Sequence, residues 1–377
     1  MFTLIKNADI YTPAPIGTGD ILLCNDRVIT VGGKIDFDYP GTRVIDAGGR
    51  KVIPGLIDQH VHVTGGGGES GFASRVPELM FSSVVEAGVT TIVGTLGTDS
   101  RTRSVENLFA KTKALNEEGV TAYCLTGAYE YPSPNLTGTV GNDIIFVNEC
   151  IGCKLAISDH RSSNVSKQEL VHLASEVRVA GLLSHKPGIL TLHTGTDPVQ
   201  LDMIMDIIRT TPIPAKHFRP SHVGRMIDAA AAFAKEGGYI DFTSDVDSSG
   251  VAAKLKEAID KAPFDRITLS SDSNGSMPKW GPNQELIGIT AAKMTSLYNC
   301  ILALHKEQGV PFEKAICLIT ENVAKGLEIY PKKGCLSNES DADLLILDDD
   351  LSISWVIAKG KVLMEEKEII VKGMYED

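Results

Sequence analysis

Short apolar runs alternate with longer amphipathic stretches through the middle of the chain. The runs that predict buried strands are 90–94, 152–156, 189–193, 219–222, 239–243 and 266–272. The stretches that predict helices are 105–118, 167–181, 199–209 and 228–235. Sustained alternation of strand and helix is typical of a parallel sheet, and about eight such units close into a barrel. We therefore predict an α/β fold with a TIM-like (β/α)8 barrel.

Both ends of the chain are richer in short strands separated by Gly, Asp and Pro. Strands are predicted at 21–24, 28–31 and 42–45, and again at 343–347, 355–357, 361–363 and 369–371. Because neither end can bury both faces of a sheet alone, we expect the two termini to combine. The predicted domains are a small β-sandwich built from 1–54 plus 333–377 and a catalytic barrel over 55–332.

A doubly wound open sheet is the competing architecture for the central region. Its dinucleotide-binding form carries G-x-G-x-x-G after the first strand, and no such motif is found there. The run Gly65–Gly68 has neither that spacing nor the Lys-Ser/Thr pair of a phosphate-binding loop. The barrel is the favoured prediction.

Composition narrows the classes of partner and the cellular location. The chain of 377 residues carries a net charge of −12 and no polybasic run, which gives no support to binding of nucleic acid or of an anionic membrane. No apolar run approaches the ~18 residues of a membrane span, and the N-terminus turns polar too soon for a signal peptide. Seven cysteines without a regular spacing favour a reducing, cytoplasmic setting. Cys150 and Cys153 match C-x-x-C. Two interpretations are open: a redox pair or, more simply, two small residues packed beside a strand.

His60 and His62 end the stretch 54–62, just before the glycine loop. Residues i and i+2 of a strand point to the same face, so the two imidazoles aim at one point. That geometry suits a metal ion, although such a pair can also be one core histidine and one hydrogen-bonded histidine. A ligand pair at the carboxyl end of a strand is where a (β/α)8 barrel carries its chemistry.

Four more polar residues end or lie within predicted barrel strands: Lys154, His193, His222 and Asp272. Each alone has a structural explanation, because a histidine there can be a satisfied core group and an aspartate can cap the next helix. Packing alone does not readily place all of them on one rim of a barrel. We therefore treat the set as candidate catalytic machinery.

This set resembles the metal site of the amidohydrolase superfamily, and nearly the whole chain is similar to the isoaspartyl (β-aspartyl) dipeptidase family within it. The segments that carry the resemblance are 58–62 with 65–69, 97–100, 125–129, 156–162, 221–225 and 269–276. The segment 339–344 also resembles the returning strand of the superfamily. Small departures occur at Thr194, Gly224 and Ser273, none of which replaces a ligand or a charged substrate contact.

The resemblance implies a binuclear site for two divalent metals, usually Zn²⁺. Its ligands are implied to be His60, His62, Lys154 as N6-carboxylysine, His193, His222 and Asp272, with His60 and His62 on the same, more buried metal. A CO₂-derived carbamate on Lys154 is needed because an ammonium has no lone pair, whereas a carbamate offers one anionic oxygen to each metal.

The resemblance also implies how a substrate is held. It assigns Glu69 to an α-ammonium, Arg161 and Arg225 to carboxylates, Thr98 and Ser276 to neutral hydrogen bonds, and Tyr129 to the scissile carbonyl. A β-aspartyl dipeptide carries one ammonium and two carboxylates, which this set complements, and arginine pairs bidentately with a carboxylate. The plainer interpretation is that the arginines form surface salt bridges, which contribute little.

The implied reaction is hydrolysis of an isopeptide bond to give aspartate and an amino acid. A hydroxide bridging the metals attacks, Asp272 takes its proton and delivers it to the leaving amine, and Tyr129 stabilises the oxyanion. The family also implies a homo-oligomer, often an octamer. Two rivals stay open: a cyclic-amide hydrolase acting on a dihydroorotate or hydantoin, against which Glu69 and the two arginines argue, and a non-catalytic barrel scaffold, against which the complete ligand set argues.

Overall fold

The computed structural model describes residues 1–195, 201–280 and 286–376. The strands are β1 Phe2–Tyr11, β2 Pro15–Cys24, β3 Arg27–Val31, β4 Arg43–Asp46, β5 Lys51–Pro54, β6 Leu56–Val61, β7 Val89–Gly94, β8 Thr121–Gly127, β9 Cys150–Ile157, β10 Ile189–Thr194, β11 Phe218–Ser221, β12 Ile240–Thr243, β13 Ile267–Ser270, β14 Ser276–Trp280, β15 Leu286–Ala291, β16 Leu344–Leu347, β17 Ile353–Ala358, β18 Lys361–Glu365 and β19 Glu368–Ile369. The α-helices are α1 Phe81–Glu86, α2 Val105–Glu118, α3 Val140–Phe146, α4 Lys167–Ser184, α5 Asp202–Thr210, α6 Ile227–Lys235, α7 Ser248–Lys261, α8 Ser296–Lys306, α9 Phe312–Cys317 and α10 Glu321–Gly326.

The strands β6 to β13 form one eight-stranded parallel sheet in which each strand lies beside its neighbour in sequence. The first and last strands meet where Val61 pairs with Ser273, and the His62 amide donates to the Ser273 carbonyl at 2.9 Å. This contact brings the sheet round into a barrel. The predicted (β/α)8 barrel is confirmed, and the alternative of an open, doubly wound sheet is wrong.

Apolar strands and well-capped helices produce this barrel. Every residue of β9 and of β10 is buried, as expected for strands covered on both faces. Helix α4 begins with a capping box between Ser166 and Glu169, and its inner face buries Leu170, Leu173 and Val177. In the helix predicted at 199–209, residues 199 and 200 lie outside the described residues, and α5 begins at Asp202. Among the described helices, none has the length and apolar character that crossing a membrane requires.

Strands from both chain ends form a second unit, as the sequence predicts. It is a nine-stranded sheet in which β16 pairs antiparallel with β5, so the returning chain is joined directly to the N-terminal strands. Its core packs Ile10, Val52, Leu344, Ile346 and Trp355 together. The domain limits between 54 and 55 and between 332 and 333, and the description of this unit as a sandwich, stay predictions.

A buried ion pair anchors the returning segment to this unit. The Lys333 ammonium is almost fully buried and lies 2.8 Å from Asp341 and 2.5 Å from Asp343. Removing it leaves the buried Asp343 with only a neutral partner there, the Lys359 backbone amide, whereas Asp341 keeps Arg27. We expect Lys333→Met to lower the free energy of unfolding by ~3–5 kcal/mol, as for other broken buried pairs. Urea-induced unfolding of the full chain measures this change.

Lys256→Met is the matched control for that experiment. Lys256 forms a comparably short pair with Asp260, but on an exposed helix face. Its loss should cost less than ~1 kcal/mol. Equal effects of the two substitutions would show that the Lys333 cluster does not anchor the returning segment.

Candidate functional site

The predicted ligand residues collect at the carboxyl end of the barrel strands. His60 is near the end of β6 and His62 follows it, while His193 lies near the end of β10. His222 comes directly after β11 and Asp272 comes two residues after the end of β13, and both adopt positive φ angles, 64° and 54°. Chain bends at these two positions turn both side chains from the strands toward the barrel mouth, which is the face that carries catalysis in this architecture.

Lys154 reaches the same site from a lower position in the barrel. It lies within its strand and not at the end, because β9 continues to Ile157. A long side chain allows a residue below the rim to reach the other groups, and its Nζ lies 2.8 Å from Nε2 of His60. Complete burial lowers the pKa of Lys154 to about 7. At neutral pH a large share of this amine is uncharged, which is the form that reacts with CO₂.

One aspartate lies among three of the histidines. Ligand atoms of His60, His222 and Asp272 all lie within 4.8 Å of one another, and Nε2 of His62 is 3.0 Å from Oδ1 of Asp272. Burial by itself would raise the pKa of Asp272, but His60 and His62 offset burial and hold that pKa well below its ordinary value. An anionic oxygen surrounded by imidazole nitrogens is a donor set that suits Zn²⁺.

The ring of His222 has one nitrogen available for a ligand. Its Nδ1 lies 2.6 Å from Oγ1 of Thr243, whereas its Nε2 is buried and has no hydrogen-bond partner among the described residues. A buried imidazole nitrogen without a partner is unfavourable unless a ligand completes it. The residues present therefore fit a metal at this position.

His193 lies on the other side of this cluster. Its ring centroid is 4.5 Å from that of His222, and its Nδ1 is 2.6 Å from the Tyr129 hydroxyl. Burial lowers the pKa of His193 to about 4, so the imidazole is neutral near pH 7. Its Nε2 contacts Asp159 at 3.0 Å.

Three of the predicted substrate contacts, Tyr129, Arg161 and Glu69, are linked to His193 and to one another. Arg161 places its guanidinium 5.2 Å from the Tyr129 ring centre, and its Nη1 is 3.4 Å from Oε1 of Glu69. Arg225 is exposed and belongs to the 3₁₀ turn Val223–Arg225 that follows His222. The opposite charges of Glu69 and Arg161 therefore lie close to His193.

Glycines place Thr98 and Ser276 beside His62. A Cβ added to Gly97 would lie 3.0 Å from Cε1 of His62, and one added to Gly275 would lie 3.0 Å from both Cδ2 of His62 and Oδ1 of Asp272. Only glycine lets these two loops approach the imidazole so closely. The next residue in each loop, Thr98 or Ser276, is half-buried at the edge of the site.

Two residues of the site carry no role in the sequence prediction. Thr243, at the end of β12, holds the His222 ring, and Asp159, on the loop after β9, holds both His193 and Arg161. Asp159 lies two positions before Arg161 in a segment that carries the family resemblance, and this was the one available signal. Its contact with His193, 34 residues away, depends on the loop conformation.

Nearly the whole chain is similar to proteins that are already known. The chain is 37% identical to β-aspartyl dipeptidase from the thermophilic keratin-degrading Fervidobacterium islandicum AW-1, solved in complex with β-Asp-Leu dipeptide, with a TM-score of 0.91 over 98% of both chains. It is 23% identical to an L-hydantoinase of Paenarthrobacter aurescens over 92% of this chain and 86% of that protein. An enamidase of the amidohydrolase superfamily shares the fold at 18% identity, with a TM-score of 0.68 over all of this chain and 97% of that one. No protein-family model matches the chain.

Proposed function

The chain belongs to the β-aspartyl dipeptidase family of the amidohydrolase superfamily, and we propose that it hydrolyses the isopeptide bond of β-aspartyl dipeptides to aspartate and an amino acid. The observation that carries the proposal is the likeness over 98% of both chains to a dipeptidase solved with β-Asp-Leu. The buried polar cluster at the barrel mouth supplies matching chemistry.

We assign six side chains to a pair of divalent cations, Zn²⁺ first among them. They are His60, His62, Lys154 as N6-carboxylysine, His193, His222 and Asp272. When bound, such cations lower the pKa of water and polarise the carbonyl under attack. The buried position of Lys154 beside His60 supports the carbamate, because an unmodified ammonium there has no lone pair for a cation.

Charge complementarity supports the substrate assignment. In the structure Glu69 and Arg161 face each other across 3.4 Å, each partly neutralising the other. A β-aspartyl dipeptide brings an ammonium for Glu69 and carboxylates for Arg161 and Arg225. Its binding can therefore replace the Glu69–Arg161 ion pair by one pair between Glu69 and the ammonium and another between Arg161 and a carboxylate. Thr98 and Ser276 add neutral hydrogen bonds at the edge of the site.

In this proposal Asp272 transfers protons and the Tyr129 hydroxyl donates a hydrogen bond. Asp272, an anionic carboxylate, accepts the proton of the attacking water and delivers it to the leaving amine. Burial raises the pKa of Tyr129 well above its ordinary value, so its hydroxyl stays protonated and can donate to the developing oxyanion.

Two further features of the protein are part of this proposal. We place it in a reducing, cytoplasmic compartment because all seven cysteines are free thiols. We also propose a homo-oligomer, with the octamer as the candidate assembly, since helix α4 exposes Val179, Leu182 and Leu183 along its outer side.

A substrate panel tests the function. Zinc-loaded protein should hydrolyse β-Asp-Leu with a kcat/KM at least ~100-fold above that for α-Asp-Leu, dihydroorotate or hydantoin, since a site that pairs every charge of one substrate rejects partners that leave charges unpaired. The likeness to an L-hydantoinase makes cyclic amides the second candidate. Preferential ring opening of either cyclic amide would replace the proposal by that candidate, and inactivity toward all four would contradict both.

Glu69→Gln is expected to weaken recognition of the substrate amine. Loss of a charge-assisted hydrogen bond of about 1.5–3 kcal/mol should lower kcat/KM for β-Asp-Leu by ~10- to 100-fold. The value for N-acetyl-β-Asp-Leu, which has no ammonium, should change little. Steady-state kinetics on both substrates measure the selectivity.

Glu149→Gln is the control for Glu69. Glu149 also pairs with a basic residue, Lys113 at 2.9 Å, but it precedes β9 at the opposite end of the barrel. Its substitution should leave both substrates unaffected. If Glu69→Gln also left the preference for the free amine unchanged, Glu69 would have no part in recognition.

A further inference from the structure

Asp159 forms more polar contacts with the site than its position on a loop suggests. Only 6% of its side chain is exposed. Oδ1 accepts hydrogen bonds from the Arg161 backbone amide and from Arg161 Nε, both at 2.8 Å, and Oδ2 lies 3.0 Å from Arg161 Nη2. Oδ2 also lies 3.0 Å from Nε2 of His193, and Oδ1 is 3.5 Å from Nδ1 of His160. One carboxylate therefore touches both a candidate metal ligand and a candidate substrate contact.

The partners of His193 determine which ring nitrogen carries its proton. Asp159 forms an ion pair with Arg161, whose Nε and Nη2 donate to its two carboxylate oxygens at 2.8 and 3.0 Å. An ionised carboxylate can only accept, so the proton of the neutral imidazole lies on Nε2. The lone pair is then on Nδ1, where the Tyr129 hydroxyl donates to it at 2.6 Å.

This arrangement leaves Nδ1 as the nitrogen of His193 that can bind a cation. Ligand histidines commonly donate their second ring N–H to a carboxylate, which fixes the tautomer and raises the basicity of the ligand nitrogen. Asp159 occupies that position with a short contact in a buried setting. The Tyr129 hydroxyl must release Nδ1 before a metal can take it.

The same carboxylate orients the guanidinium of Arg161. Asp159 engages Nε and Nη2, which form one edge of the planar group, and leaves Nη1 directed toward Glu69. Because guanidinium donors are rigidly spaced, fixing one edge fixes the direction of the other. The remaining edge is the part of Arg161 available to a substrate carboxylate.

We propose that Asp159 is a positioning residue that couples metal binding to substrate recognition, by holding His193 with its Nδ1 lone pair toward the metal and by aiming Arg161 at the substrate carboxylate. This inference rests on the proposed function for its second half. The first half concerns the metal alone and can be tested without any substrate.

Asp159→Asn tests the proposal with zinc affinity as the primary measurement. The amide keeps the size of the side chain but removes the charge, and it can present N–H to Nε2 of His193. Loss of such a partner of a ligand histidine is expected to weaken zinc binding by ~10- to 100-fold, measured by competition with a chelating dye. At saturating zinc, KM for β-Asp-Leu should rise more than kcat falls.

Arg161→Met separates the two halves of the proposal. It removes the substrate contact but retains the pair between Asp159 and His193, so zinc affinity should stay within ~3-fold while KM rises. Equal loss of zinc in the two variants would show that the loop matters only for its shape and would overturn the proposal. Unchanged zinc affinity in Asp159→Asn would overturn it as well.

The role of Asp159 can still be decided if Asp159→Asn does not fold or if the protein is inactive toward β-Asp-Leu. If Asp159→Asn does not fold, Asp159→Glu keeps the charge but displaces it by one methylene, and unchanged zinc affinity in that variant would contradict the proposal. If the unsubstituted protein does not turn over β-Asp-Leu, the proposed function fails, and the zinc comparison still decides the role of Asp159.

Discussion

Lys154→Ala is expected to lose bound zinc and to reduce kcat for β-Asp-Leu by at least ~1000-fold, since metal catalysis contributes several kcal/mol. Lys154 is completely buried on β9, and its Nζ lies 2.8 Å from His60, so the variant leaves a small cavity among the ligand nitrogens. Formate, acetate or propionate can occupy that cavity and supply the two oxygens of the missing carbamate. Partial rescue by these acids is therefore expected, measured as zinc content and as turnover.

Lys186→Ala provides the control for Lys154. Lys186 is a partly buried lysine that donates to the carbonyls of Ile144 and Val147, away from the candidate ligands. Its loss should change neither zinc content nor turnover. If Lys154→Ala retained full zinc occupancy and showed no response to the acids, the carbamate assignment would be wrong.

Asp272→Asn is expected to bind β-Asp-Leu and to hydrolyse it at least ~100-fold more slowly, the lower end of what loss of a general acid–base group costs. Asp272 is the acidic member of the cluster with His60 and His222, and an amide in its place cannot accept the proton of the attacking water. The measurement is kcat and KM at saturating zinc, with zinc content determined on the same samples.

Asp260→Asn is a suitable control, because Asp260 is an exposed partner of Lys256 on helix α7. It should behave as the unsubstituted protein. Near-normal turnover by zinc-loaded Asp272→Asn would remove Asp272 from proton transfer, and a loss of zinc without a loss of kcat per bound metal would leave it only as a ligand.

Much of the site could be predicted because a (β/α)8 barrel carries its catalytic residues at the carboxyl ends of its strands. His60, His62, His193 and Asp272 each adjoin an apolar run that is long enough to recognise, and parallel strands bring their carboxyl ends to one face. Lys154 was placed correctly within its strand, but the predicted run 152–156 is shorter than β9, because strand ends are hard to locate within a continuous apolar run.

The contacts that loops make could not be predicted from patterns in the sequence. Asp159 meets His193 because Ala156 of β9 is paired with His193 of β10 and the loop after β9 starts beside that point, and no periodicity relates two residues so far apart in sequence. Short helices such as α1, α9 and α10 span fewer than two turns, which is too little for a 3.6-residue pattern to appear. The union of the two chain ends was predictable, because each end has too few apolar strands to bury a sheet alone.

The most direct test of the central claim is a crystal structure of the zinc-loaded protein with anomalous diffraction data. We expect two zinc peaks, one at ligand distance of ~2.0–2.1 Å from His60 and His62 and the other from His193 and His222. We also expect planar density that continues from Nζ of Lys154 and joins both ions. A lysine without added density, together with one zinc ion or none, would contradict that claim.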